Sequence, residues 1–326
     1  MDVVHRRFNL LRRLGEGGEG ECWLAEERAT GEPVVCKRLL LVSGEEADGR
    51  GAAGAQAPMP MLAGMAVRMP GRARAQRFHG AEGSWSVTPY VTGLSLHQLR
   101  QALGLALGDA VVLELLWRLA IQLVELHRDG VMHGDIAPGN VIIRPSGALE
   151  LIDFGQSARF GQAASHWGAK EFLAPERIEG GMARPESDIY SLGCLLYWLL
   201  EHPLPEVLTA RGLPVEVIHP DDRHSAAATR AELLTIARGL TELHPSSRPT
   251  LGRVLQDLKE LRLRIPAGVT DNLVALVQAG LSHKSGATES SGTESSSVES
   301  SGAESSAGSH RGVVLENQIA ASLSKQ

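Results

Sequence analysis

From Asp109 onward, Val112, Leu115, Leu119 and Leu123 recur at steps of three and four residues, the spacing that gathers apolar side chains on one face of a helix. Asp109 at the head of this pattern predicts an N-terminal cap, because a short carboxylate can accept from the first unpaired backbone N–H groups. Helical patterns also cover about 187–200, 231–243 and 251–262. Val34-Val35-Cys36 and Val141-Ile142-Ile143 are instead short and β-branched, and predict strands. Strands gather early and helices late, an α+β order. Between Ser43 and Gly80, seven glycines and three prolines interrupt a run of alanines and methionines and work against any long helix.

The chain has 326 residues, 43% of them hydrophobic, enough for the core of one large or two ordinary domains. Its formal net charge is -6 and no basic block stands out, so nonspecific binding to nucleic acid or to an anionic membrane has no electrostatic support. The cysteines, Cys22, Cys36 and Cys194, are odd in number and lack metal-type spacing, which predicts a reducing, cytoplasmic setting rather than a disulfide framework or a zinc site. The longest uncharged apolar run, Leu192 to Leu200, is about half of the roughly 20 residues that span a bilayer. No apolar stretch follows Arg6-Arg7, so no secretory leader is expected.

Residues 285–309 repeat a five-residue polar unit, with glutamates at 289, 294, 299 and 304. Such Ser/Glu/Gly-rich sequence buries too little apolar surface to offset its ordering entropy, and 285–310 is expected to be a disordered linker. The last segment, 311–326, carries Val313, Val314, Leu315, Ile319 and Leu323, a frayed terminus or a peptide through which a partner docks.

Candidate chemistry begins at Gly15-Glu16-Gly17-Gly18-Glu19-Gly20, a G-x-G-x-x-G string whose bare backbone amides can approach phosphate oxygens. Lys37 follows on the Val34-Val35-Cys36 strand, placed to reach nucleotide phosphates beneath that loop. His133-Gly134-Asp135-Ile136-Ala137-Pro138-Gly139-Asn140 comes next, and Asp153-Phe154-Gly155 stands eighteen residues beyond Asp135. Asp135 suits a hydroxyl, while Asn140 and Asp153 supply the hard oxygen ligands that magnesium-bound phosphates require. Ala174-Pro175-Glu176, Asp188-Ile189-Tyr190-Ser191-Leu192-Gly193 and Ser247-Arg248-Pro249-Thr250 complete the series.

In order and spacing these motifs resemble the protein kinase superfamily, and in particular the bacterial (eukaryotic-like) serine/threonine protein kinases. The resemblance implies a bilobal α+β fold, with a small β-rich N-terminal lobe over about 8–88 and a larger helical C-terminal lobe over about 94–264. A kinase domain over 8–264 would then be followed by a short helical extension at 265–284, and truncation after Ala267 is expected to leave the domain folded. It implies ATP and Mg2+ as cofactors and a protein substrate. Lys37 would hold the α/β-phosphates, Asn140 and Asp153 the magnesium, and Asp135 would orient the substrate hydroxyl. Gly15, Gly17 and Gly20 would cover the phosphates. Cys22, Val35, Thr88, Tyr90 and Val91 would line the adenine pocket, with Thr88 guarding its back and Tyr90 and Val91 in the hinge. His133 would pack beneath the catalytic loop.

Several positions depart from the family pattern. Ala137 and Ala169 stand where the family has a contacting lysine and threonine, which removes a cation near the transferred phosphoryl and leaves serine/threonine against tyrosine specificity open. Gly134 replaces the arginine that in many members needs a phosphorylated activation loop to neutralise it. The glutamate expected to pair with Lys37 falls near Gln56, with Glu45 and Glu46 the nearest acids upstream, and stays unassigned. A pseudokinase or nucleotide-binding scaffold that regulates a partner is the alternative to an active signalling kinase, and a small-molecule kinase a third class.

Overall fold

The computed structural model describes residues 3–17, 20–39, 76–80, 83–104, 107–165, 168–201, 225–265 and 273–282. Two compact units divide them, the first ending at Val91 and the second starting at Thr92.

In the first unit a short helix α1 (Val3–Arg7) leads into β1 (Phe8–Gly17), β2 (Gly20–Glu27), β3 (Pro33–Leu39), β4 (Gln76–Gly80) and β5 (Gly83–Pro89). They form one antiparallel sheet in the order β1-β2-β3-β5-β4. Alternation along β3 sends Val34 and Cys36 to one face, where they pack with Val4, Phe8, Ala25, Trp85 and Val87. Cys36 is fully buried there, and burial pushes its thiol up to about 12, as a packed core thiol should behave.

The second unit opens with β6 (Leu94–Ser95) and α2 (Leu96–Leu103). Ser95 and Gln98 exchange side-chain and backbone bonds in a capping box, and Gly104 closes the helix with φ 59°. Then follow α3 (Asp109–Arg128), β7 (Val131–Met132), β8 (Val141–Ile143), β9 (Leu149–Leu151), β10 (Ala158–Arg159), α4 (Pro175–Ile178), α5 (Pro185–Leu199), α6 (Ser225–Leu240) and α7 (Leu251–Arg262). Residues 273–282 form a final helix, α8. Val112, Leu115, Leu119 and Leu123 are all buried, as their spacing predicts. The expected Asp cap is corrected: Gly108 occupies the cap position, and Asp109, inside the first turn, instead accepts from Arg230 Nη1 at 3.0 Å.

Helices α3, α5, α6 and α7 pack together, and the hairpin strands β7 to β10 hold the motif-bearing loops at their ends. Helix α8 belongs to this body, because Leu273 and Val277 are fully buried and Gly280 lies against Leu94 and Leu99. Among the described residues no helix is long and apolar enough to cross a membrane. The expected disordered linker and the terminal docking segment lie outside the described residues.

Candidate active site

Within the first unit, the strand register collects most of the expected nucleotide-binding residues. Cys22 is the cross-strand partner of Lys37, Val35 pairs with Thr88, and Gly15 pairs with Cys22. Directly paired residues share a face of the sheet, and Val35 and Lys37, two apart, share it too. These side chains therefore lie on the face opposite the Cys36 core. Gly17 and Gly20 pair at the end of the β1–β2 hairpin, Gly20 with φ 138° where a side chain would be strained, and Gly18 and Glu19 lie outside the described residues. Tyr90 donates its backbone N–H to the Pro33 carbonyl at 3.1 Å, and Tyr90 and Val91 are half-buried. Gln56, Glu45 and Glu46, the positions weighed as partners of Lys37, lie outside the described residues.

Within the second unit, Asp188 of α5 anchors the loop that carries Asp135. Its fully buried carboxylate accepts from the backbone N–H groups of His133 at 2.8 Å and Gly134 at 2.9 Å, and lies 2.8 Å from His127 Nε2. Burial alone would raise this carboxyl, but the His127 hydrogen bond and the Gly134 N–H outweigh it and hold Asp188 below the usual carboxylate range. His133 is fully buried, and its ring nitrogens have different partners: Nδ1 accepts from the Asp135 N–H at 3.2 Å, and Nε2 faces the Ile152 carbonyl at 3.1 Å. An acceptor at one nitrogen and a donor at the other is the neutral imidazole, in accord with the burial that pushes its pKa down. The Phe154 ring meets His133 edge-on at 4.7 Å. His133 is thus a structural post.

The Asp135 carboxylate is gripped on both oxygens. Oδ1 accepts from the Ala169 N–H at 2.9 Å, and Oδ2 accepts from Asn140 Nδ2 at 2.7 Å. Asn140 Nδ2 also donates to the Asp135 carbonyl, so its side-chain oxygen is not used in holding Asp135. The Ile152 N–H donates to the Asn140 carbonyl at 2.9 Å and so brings Asp153 alongside. Asp153 has φ 57°, a left-handed backbone in which Oδ1 accepts from the Gly155 N–H at 3.1 Å. Two side-chain oxygens, from Asn140 and Asp153, are the hard donor set that a magnesium ion takes.

Further along, Glu176 and Arg248 meet through two hydrogen bonds of 2.7 and 2.9 Å. Ser187 Oγ donates to Glu176 as well, and these donors hold the carboxyl below its usual range despite burial. The Arg248 guanidinium also reaches the carbonyls of Glu242, Leu243 and Glu186. Sequence reasoning missed two partners of the loop, the main-chain N–H of Ala169 and the side chain of Arg177. Only the glycine at 134 signals the second, since it removes the neighbouring cation that the motif normally carries.

The sequence profile of the protein kinase domain matches residues 8–258, and the chain belongs to the protein kinase family. It is 31% identical over 277 residues to serine/threonine-protein kinase pkn2 of Myxococcus xanthus, covering 78% of this chain and 32% of that protein. It is 25% identical over 205 residues to the probable serine/threonine-protein kinase PknB of Lactococcus lactis, with 61% and 32% covered. With serine/threonine-protein kinase PknA of Mycobacterium tuberculosis it shares 29% over 203 residues, 59% of this chain and 46% of that one. The chain thus matches about a third to a half of the length of these relatives.

Proposed function

We propose that this chain is a cytoplasmic signalling kinase that transfers the γ-phosphoryl group of Mg-ATP to serine or threonine hydroxyls of a protein substrate. The observation that carries this reading is the Asp135 carboxylate, fixed on Oδ1 by Ala169 and on Oδ2 by Asn140, with its loop tied through Asn140 to Asp153. A carboxylate with both oxygens anchored is aimed before substrate arrives, and positioning and electrostatics supply most of the catalysis in phosphoryl transfer.

In this reading Asp135 orients the incoming hydroxyl and receives its proton. Asn140 and Asp153 hold magnesium, which when bound neutralises charge on the phosphate oxygens. Lys37 pairs with the α/β-phosphates, and the backbone of Gly15, Gly17 and Gly20 covers them. Cys22, Val35 and Thr88 give the adenine a small, mostly apolar bed, and the backbone at Tyr90 and Val91 supplies hydrogen bonds to its edge. The relatives named as serine/threonine kinases support that acceptor class. The alanines at 137 and 169 favour a second reading, a nucleotide-binding scaffold, because they remove one cation from the transfer site.

Magnesium-dependent ATP binding, followed by calorimetry in the native chain and in Asp153→Ala, tests the shared part of both readings. The native chain should bind ATP more tightly with magnesium than without, and Asp153→Ala should lose that difference. Equal magnesium dependence in the two proteins would remove Asp153 from the site.

A further inference from the structure

Gly134, which precedes Asp135, has φ 83°, and a Cβ there would stand 2.5 Å from the Gln156 carbonyl oxygen and 2.9 Å from Arg177 Nη1. The space beside the loop is therefore already filled by Arg177. This arginine follows Ala174-Pro175-Glu176 on α4 and is only 1% exposed. A guanidinium is so completely removed from water only where its donors find acceptors. Nη1 donates to the Gly134 carbonyl at 2.9 Å and approaches Met132 Sδ at 3.9 Å. Nε donates to the Ser165 carbonyl at 2.7 Å, and Nη2 donates to the same oxygen. Burial works against the cation, and the negative charges of Asp188, Asp135 and Glu176 work in its favour.

Resting on the kinase reading above, we propose that Arg177 is a positioning residue that holds the 153–176 segment in its transfer-competent arrangement, in place of an activating phosphate. The guanidinium joins the carbonyl just before Asp135 to the carbonyl of Ser165, and four residues beyond Ser165 the Ala169 N–H holds Asp135 Oδ1. The contacts close a ring through Gly134, Asp135, Ala169, Ser165 and Arg177, with the proposed catalytic carboxylate on it. Arginine's planar fork can bond both carbonyls at once, whereas a lysine places one point charge.

The hydroxyls of the segment support the same conclusion. Ser157 and Ser165 are the only ones between Asp153 and Glu176, and they are 2% and 8% exposed. Ser157 Oγ donates to the His133 carbonyl at 3.1 Å. A phosphate could reach either serine only after the segment had opened, so phosphorylation there would follow disassembly of the site rather than build it. The cation that fastens the segment comes from the folded chain and cannot be removed by a phosphatase.

Hydrogen exchange and peptide phosphorylation by the full chain test this together, on native protein before and after phosphatase treatment and on Arg177→Lys. Native amides in 157–165 and 168–173 should keep their protection within about twofold after phosphatase treatment. Arg177→Lys should exchange at least about tenfold faster there, with α3 and α5 unchanged. Its kcat should fall about tenfold or more while KM for ATP stays within about twofold, and the unchanged exchange of α3 and α5 in the same protein separates this from a general loss of fold. Native-like exchange in Arg177→Lys, or loss of protection in the phosphatase-treated native chain, would overturn the proposal. If Arg177→Lys does not fold, the phosphatase arm decides alone, because it uses the native protein. Exchange is read without turnover, so the absence of transfer by every sample would sink the kinase reading and leave the clamp to be judged by exchange.

Discussion

The main-chain N–H of Ala169 donates to Oδ1 of Asp135 across 2.9 Å, so a backbone group grips the proposed catalytic carboxylate from a position where the family pattern has a threonine side chain. Ala169 has φ -68°, which proline also adopts. Ala169→Pro should therefore preserve the local backbone while deleting the donor and putting a ring carbon against Oδ1. We predict that kcat falls about ten- to a hundredfold, the worth of one charge-assisted hydrogen bond, with little change in melting temperature. Steady-state kinetics and a melting curve on the same preparation check this.

Asp153 occupies a left-handed conformation at φ 57°, which glycine tolerates and alanine does not. Both Asp153→Gly and Asp153→Ala should abolish magnesium-dependent transfer, since both lose the carboxylate. Asp153→Ala should in addition be less stable than Asp153→Gly by about 1 kcal/mol, the cost of a Cβ in that region. Urea denaturation of the two variants reads the difference. Equal stability would mean that the backbone relaxes once the side chain is gone.

Buried, neutral His133 makes stability depend on pH in a defined window. Burial lowers its folded pKa below the ordinary 6.5, so between those two values the unfolded chain binds more protons and stability rises with pH. The contribution is complete above pH 6.5 and is lost as pH falls below it, at about 1.4 kcal/mol per unit. Asp188 and Glu176, held below the usual carboxylate range, act lower still and lose their contribution only as pH falls under about 4. Denaturation midpoints between pH 7 and 5 should therefore fall more steeply for the native protein than for His133→Gln. Parallel slopes would mean that His133 is solvated.

Removal of α8 should destabilise the second unit, contrary to the expectation that truncation after Ala267 leaves it intact. Leu273 and Val277 are completely buried, and losing both side chains from the core costs about 3–6 kcal/mol. A chain ending at 284 should melt like the full protein, and one ending at 267 should melt lower or aggregate.

What could be read in the sequence was whatever is written in side chains at short range. The His133 to Asn140 string, Asp153-Phe154-Gly155 and the apolar spacing of α3 are all local, and the α3 residues are buried on one helix as their spacing predicts. The Ala169 contact was not legible, because a backbone donor has no letter of its own. Arg177 was not legible either: an arginine in a short helix ordinarily faces water, and here the distant Gly134 leaves room for it to turn inward. The cap of α3 was misjudged because Asp109 finds Arg230, 121 residues away, a partner that no local pattern contains. Helix α8 is rich in apolar positions and reads as a helical extension, but its burial depends on Leu94 and Leu99 of a distant segment, which no local pattern contains.

Transfer of labelled γ-phosphate from Mg-ATP to a generic protein substrate, followed by acid hydrolysis and identification of the labelled amino acid, tests the central claim most directly. The native chain should label serine or threonine at a rate that Asp135→Asn lowers by about a hundredfold or more. A native rate no higher than that of Asp135→Asn, in protein that binds Mg-ATP, would contradict the catalytic reading and leave a nucleotide-binding scaffold in its place.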